Sequence, residues 1–458
     1  MPIPPRDQYG ERLPRHLGLW SAVAVLVGST IGSGIFRVPA GVAQKLGAPG
    51  PVILAWVLGG VIALFGALTY AELAAALPRS GGVFAYILEA FGPLPAFLFG
   101  WTELTVIRAS ALGAIATIFA EYLGYFVPLT AQQVHWIAAV AVMLVGLFNY
   151  VGVSFASIVM NFTTVGKYGA LAALVLLAFF AGNGSASHFS NAWQGGFNLS
   201  VLGTALIAIM WTYDGWADLS FMGGEVKDPA RVLPLALILG TALIVVVYLA
   251  LNLAYIYLVP VPEMGGAKLI AATAAEHIPL LGTRGAAVIS AIVMLSCFGT
   301  LNGSMMTGPR IFFAMADRGL FFRVIARVSP RFKSPSVAIL LATTLGVVYV
   351  LFNDFQQLAD KFILGIWPFY ALAVAAVFVF RRTRPDLVRP YKAWGYPIIP
   401  ILFLVASVAM VLNALWTDPF NTGITLGITL VGIPAYYLWR WWQGRRPPLA
   451  SEAAELSS

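Results

Sequence analysis

Charge is scarce in this sequence: Asp, Glu, Lys and Arg make up only 10% of its 458 residues, against 60% hydrophobic residues. Soluble domains carry about 25% charge, so a water-exposed fold of this length is excluded. There is one cysteine, Cys297, so no internal disulfide can form. The four histidines, His16, His135, His188 and His277, make no HExxH or related spacing. No metal, cofactor or catalytic constellation is therefore expected, and an enzyme is disfavoured. A cleavable signal peptide is not expected either, because the N-terminus is polar and Pro-containing and leads straight into a full-length apolar run.

Apolar runs fill the rest. Mean hydropathy is +0.85, and runs of membrane-crossing length recur at about 20–43, 51–77, 91–126, 133–152, 154–181, 199–222, 233–258, 283–316, 336–353, 359–381, 397–416 and 422–442. Each is near or above the roughly 20 residues that a bilayer requires. The expectation is an all-α membrane protein of twelve transmembrane helices embedded in a lipid bilayer. Basic residues orient it, because cytoplasmic loops hold the excess of Lys and Arg. With both termini inside, nineteen fall on the cytoplasmic side and four (Lys45, Lys268, Arg284 and Lys361) outside, while Arg37, Arg108, Lys167 and Arg310 lie within helices. The net charge of +8 is thus a topology signal and implies no nucleic-acid partner.

The first run contains "GSTIGSGIFRVP", residues 28–39. Gly28 and Gly32 form a small-xxx-small pair suited to close helix packing. Gly32 and Gly34, however, are two residues apart, about 200° around a helix, so one packing face cannot need both. Three glycines cost about 3 kcal/mol relative to alanine. The alternative is a helix interrupted at membrane depth, tolerated only where the freed backbone groups line a protein cavity. Such a break offers amides to an anionic group and carbonyls to a cationic one. A zwitterion suits both.

An inverted repeat then requires a second break five helices later. The sixth run reads "IMWTYDGWADLSFMGGE", residues 209–225, with Asp214 and Gly215 in mid-helix. Pairing spans one and six predicts a five-plus-five inverted repeat. The corresponding division is a cytoplasmic segment 1–16, repeats 17–195 and 196–395, helices eleven and twelve over 396–443, and a cytoplasmic tail 444–458. That tail is polar and rich in small residues, as disordered ends are.

The sequence resembles the amino acid–polyamine–organocation superfamily, and within it the L-type amino acid transporters and their bacterial relatives, including serine/threonine exchanger-like proteins. The matching text is "GSTIGSGIF", "GALTYAELAAALPRSGGVFAYILEAFG", "WTELTVIRAS", "WTYDGW" with "GGEVKDPAR", "LSCFGTLNGSMMTGPRIFFAMADRG" and "RRTRPDLVRPYKAWGYPIIPIL". The resemblance implies a LeuT-type fold and alternating access around a central amino acid site. It places the substrate carboxylate on the amides of Ser33, Gly34 and Ile35. The α-amino group falls to carbonyls near Thr30 and Ile31 and near Trp211. The Trp211 ring acts as a gate, with Trp367 as a second wall.

Lys167 lies near mid-membrane, where a lysine costs roughly 2.5–3.5 kcal/mol and needs a partner or a cavity. The resemblance puts it where sodium-coupled relatives bind sodium, touching the first break and Ser304, which implies a sodium-independent carrier. Burial could also let Lys167 carry a proton, so proton-coupled symport stands beside exchange, the preferred reading. A structural brace is the other role open to Lys167. Arg108 follows Glu103 by five positions and reads as a brace. Glu225, Lys227, Asp228 and Arg310 read as an intracellular gate, and Arg37 is a departure left unplaced at either mouth of the site. Asp214 suits either a cationic side chain or freed backbone amides; neutral L-amino acids are the preferred substrates, cationic ones the alternative. The animal relatives link to a glycoprotein heavy chain through a cysteine after span three. The loop "GYFVPLTAQQVH" has none, so no such partner is expected. The setting implied is the plasma (inner) membrane of a prokaryote.

Overall fold

The computed structural model describes residues 15, 17–78, 81–151, 168–193, 198–317, 320–327, 329, 331–332 and 334–444. Lys167 lies outside them. The described chain is helical, with a single isolated bridge between Leu17 and Val226. Eight helices are long and apolar enough to cross a membrane: Pro49–Ala76, Pro93–Leu123, Ala131–Val151, Pro229–Leu258, Gly285–Gly308, Phe355–Thr383, Ile398–Thr417 and Pro419–Trp442. They are spans two, three, four, seven, eight, ten, eleven and twelve. The shorter apolar helices Leu19–Thr30, Tyr168–Ala181, Leu199–Tyr213 and Ser336–Phe352 contribute to spans one, five, six and nine.

Spans one and six are short because both break. Leu19–Thr30 ends at Ile31, whose ψ of 86° leaves the helical region, and the chain resumes as the 3₁₀ turn Gly34–Phe36 and the helix Val38–Leu46. Leu199–Tyr213 ends at Asp214 with ψ 152°, Gly215 follows at φ +108°, and only the 3₁₀ turns Asp218–Phe221 and Gly223–Glu225 follow. The run predicted over 91–126 starts at Pro93, since Gly92 at φ +85° separates it from the preceding helix Gly82–Phe91. Its middle is a π-helical turn, Glu103–Ile107.

Packing follows the repeat. Span two lies on span seven, three on eight and four on nine, each pair five helices apart; broken span one lies along seven, and broken span six along two. This is the contact pattern of an inverted repeat. Spans eleven and twelve pack outside it, eleven on two, six and ten, twelve on ten and on the Pro93–Thr102 half of span three. Their outer faces expose apolar side chains such as Val405, Val408, Leu412 and Leu430, which suit lipid and would be costly in water.

Candidate substrate site between two broken helices

Residues 30–36 of the first break are all buried. Ser33, Gly34 and Ile35 open the 3₁₀ turn, whose own bonds start at the amides of Phe36 (to the Ser33 carbonyl, 3.2 Å) and Arg37 (to Gly34, 3.0 Å). The first amides of a helical turn have no partner within it, and among the described residues these three have none elsewhere. The carbonyls are used unevenly. That of Thr30 accepts from the Gly32 amide at 2.8 Å and from the Tyr248 hydroxyl at 3.0 Å, and that of Phe36 accepts from Tyr122 at 2.8 Å. Ile31 therefore carries the freer carbonyl of the pair assigned to an amino group.

The two breaks interlock. A Cβ on Gly34 would stand 2.9 Å from Thr212 Oγ1, 3.1 Å from Thr212 Cα and 3.2 Å from Trp211 Cδ1; one on Gly215 would stand 2.9 Å from the Thr30 nitrogen and Cα. Each break thus presses a glycine against the last turn before the other. The remaining glycines face other elements: Gly28 meets the Tyr168 hydroxyl of span five and Gly32 meets Thr300 of span eight. The three-glycine pattern serves three neighbours, as the angular argument requires.

Trp211 is 9% exposed. Span ten walls it: the Phe362 ring meets it edge-on at 4.8 Å and Phe355 at 6.3 Å. Arg37 sits over Phe355 at 5.5 Å and donates from Nε to Glu121 at 2.8 Å. It therefore lies at the mouth shared with Phe355 and the end of span three. Trp367, the expected second wall, points elsewhere, stacking on Phe403 of span eleven at 5.2 Å. Phe355, Phe362 and Glu121 escape a reading of sequence alone; one signal was the one-turn spacing from Phe355 through Leu358 to Phe362 on a helix already suspected of walling the site.

Asp214 accepts from the Tyr370 hydroxyl at 2.9 Å. Ser304 is close to Arg108: Nη1 donates to its Oγ at 2.8 Å and to its carbonyl at 3.3 Å, while Nε and Nη2 hold Glu103. Gly308, one turn on, leaves the room that Arg108 occupies, a Cβ there lying 2.2 Å from Nε. At the other end Leu17 exchanges backbone bonds with Glu225 (3.0 Å) and Lys227 (2.9 Å), fastening the chain before span one to the chain after span six. Arg310 belongs to the span-eight helix, with its side chain outside the described set. Glu72 of span two, unremarked in sequence, accepts from Arg381 at 2.9 and 2.6 Å and from the Ala393 amide at 2.7 Å.

Two reciprocal breaks, buried between helix pairs five apart, define a multi-pass membrane carrier of the broken-helix type. The chain belongs to a particular family of these: the amino acid permease family matches residues 17–434, and the protein is an amino acid transporter and not an enzyme. It is 34% identical to the human cystine/glutamate transporter over 444 residues, 96% of this chain and 88% of that one. It is 30% identical to the serine/threonine exchanger SteT of Bacillus subtilis over 427 residues, 93% and 97% of the two chains. Similarity to the human b(0,+)-type amino acid transporter 1 is 31% over 413 residues, 89% and 84%.

Proposed function

We propose that this protein is a sodium-independent exchanger of neutral L-amino acids that works by alternating access. One observation carries the reading: Gly34, whose amide like those of Ser33 and Ile35 makes no bond within its turn, packs directly against Thr212 and Trp211 across the interlocked breaks. The amides receive the substrate carboxylate, the Ile31 carbonyl and those near Trp211 receive the ammonium, and Trp211 with Phe362 closes over the side chain. Lys167 and Ser304 stand in for a coupling sodium, while Glu225 and Arg310 take part in the gate at the basic end. That end, with Arg381, Arg384 and both termini, faces the cytoplasm of a prokaryotic cell, and the chain works without a disulfide-linked heavy chain. The serine/threonine exchanger among its relatives supports exchange.

Neutral substrates are favoured because Asp214 is already held by Tyr370. Counterflow in proteoliposomes tests the whole reading. Labelled neutral amino acid should accumulate only when unlabelled amino acid is inside; accumulation from empty vesicles driven by a proton gradient would replace exchange by symport.

A further inference from the structure

Lys361 is out of place. It lies in the second turn of span ten and is only 8% exposed, yet among the described residues no carboxylate comes within ion-pair distance of it. Asp360 and Asp418 act on it only at longer range. Its ammonium keeps access to solvent and, among the described residues, has no protein partner, so its surroundings supply water or a ligand. They do supply a cavity of about 50 Å³, lined by Thr204, Gln357, Asp360, Lys361, Thr417 and Asp418 among others. That is room for roughly three waters or the head of a small molecule, and it opens to the surface past exposed Thr417 and Asp418.

The cavity's chemistry is two-signed. Asp360 accepts from Gln356 at 2.8 Å and Asp418 from Asn421 at 2.8 Å, each leaving lone pairs for another donor. An acceptor facing Lys361 and a donor facing these carboxylates are both wanted at one place. Its position is equally specific. Ile207 lines it one helical turn before Trp211, and Lys361 precedes Phe362, whose ring meets Trp211. The cavity is walled by spans six and ten, the two helices that carry the lid contact, together with spans eleven and twelve.

We propose that this cavity is an accessory site for the head of a small zwitterionic amino acid, with its carboxylate on Lys361 and its ammonium on Asp360 and Asp418. A ligand there ties span six to span ten and steadies the Trp211–Phe362 contact from outside the central site.

Saturation binding of labelled L-serine to the purified full-length chain tests this. Lys361→Met, which removes the charge, and Ala414→Met, which fills the cavity, should each lower the label bound at saturation by about half, as loss of one of two separate sites requires. Gly34→Leu, which blocks the central site, should leave label that Lys361→Met then abolishes. Unchanged saturation in both cavity variants overturns the accessory site, whatever Gly34→Leu does. Retained counterflow in Lys361→Met and Ala414→Met shows that both remain folded.

Discussion

Gly34 rests against Thr212, so that a Cβ on the one would lie 2.9 Å from Oγ1 of the other, and Gly215 repeats the relationship against Thr30. The two positions differ in how they tolerate a methyl. The nearest obstacle at Gly34 is the Thr212 hydroxyl, which can rotate away, with the Thr212 Cα behind it at 3.1 Å, whereas all the obstacles at Gly215 are backbone within 3.0 Å, and Gly215 also has φ +108°. Strain of this kind costs about 1–3 kcal/mol, roughly 5- to 150-fold in an equilibrium. Gly215→Ala should therefore weaken amino acid binding more than Gly34→Ala, and Thr212→Ala should partly restore Gly34→Ala alone. Equilibrium binding of one labelled substrate to the four variants measures this; restoration of Gly215→Ala by Thr212→Ala would break the assignment.

Arg37 and Glu121 should act as a latch on the mouth beside Trp211. They pair at 2.8 Å with 22% and 19% exposure, partly out of water, where removing one partner strands the other charge. Either Arg37→Ala or Glu121→Ala should change exchange rate, and the double variant should be milder than the sum, with a coupling of about 1 kcal/mol. A double-mutant cycle on initial exchange rates reads it. Strict additivity would reduce the pair to a surface contact.

Much of this arrangement is legible in the sequence because it is local. Apolar run length marks the spans, the 200° between Gly32 and Gly34 marks a break, and Asp214–Gly215 marks its counterpart. Pairings across the chain are not legible. Arg37 finds Glu121 84 positions away, and no spacing rule connects them. Phe355 and Phe362 are two among 30 phenylalanines; only the fold says which of them meet Trp211. Trp367 illustrates the opposite error: an interior aromatic on the right helix faces span eleven because helical phase, not helix membership, decides what a side chain touches.

Glu72 should be the costliest surface-to-core contact to remove at the basic end. It is 2% exposed and takes two bonds from Arg381 and one from the Ala393 amide. Truncating one side of such a buried charge pair costs about 3–5 kcal/mol. Arg384–Glu89, by contrast, is 44% and 22% exposed, and such pairs contribute at most about 1 kcal/mol. Glu72→Gln should lower the thermal unfolding midpoint in detergent far more than Glu89→Gln. Arg381→Lys should also destabilise, because lysine cannot make the two-pronged contact. Equal midpoints for the two Glu→Gln variants would contradict this ranking.

Asp214 is satisfied within the protein, and substrate choice should show it. With the Tyr370 hydroxyl donating at 2.9 Å, recruiting the carboxylate to a lysine or arginine side chain would cost a bond to a charged group, about 1.5–3 kcal/mol. Lysine and arginine should thus compete for uptake at least about tenfold more weakly than neutral amino acids of similar size. Tyr370→Phe should narrow that gap by freeing Asp214. Competition panels on both proteins decide it, and a parent that prefers arginine would reverse the assignment.

The proposed sodium independence would have a local cause at Ser304 in addition to the role proposed for Lys167. Ser304 Oγ already accepts from Arg108 Nη1 at 2.8 Å, and Glu103 lies on the far side of the guanidinium, at Nε and Nη2. A sodium ion coordinated by that hydroxyl would stand about 5 Å from a guanidinium whose charge Glu103 offsets only from the far side, a repulsion of at most about 3 kcal/mol at an effective dielectric near 20. That corresponds to about a hundredfold loss of sodium affinity. Replacing sodium by choline should leave uptake unchanged to within about twofold, since a site this weak stays empty at physiological concentrations. Steep sodium dependence of initial uptake would mean that the ion binds without Ser304, or that Arg108 leaves it during transport. Repeating the ion replacement in Ser304→Ala separates these: dependence that survives the substitution places the ion elsewhere, and dependence that vanishes places it at the serine.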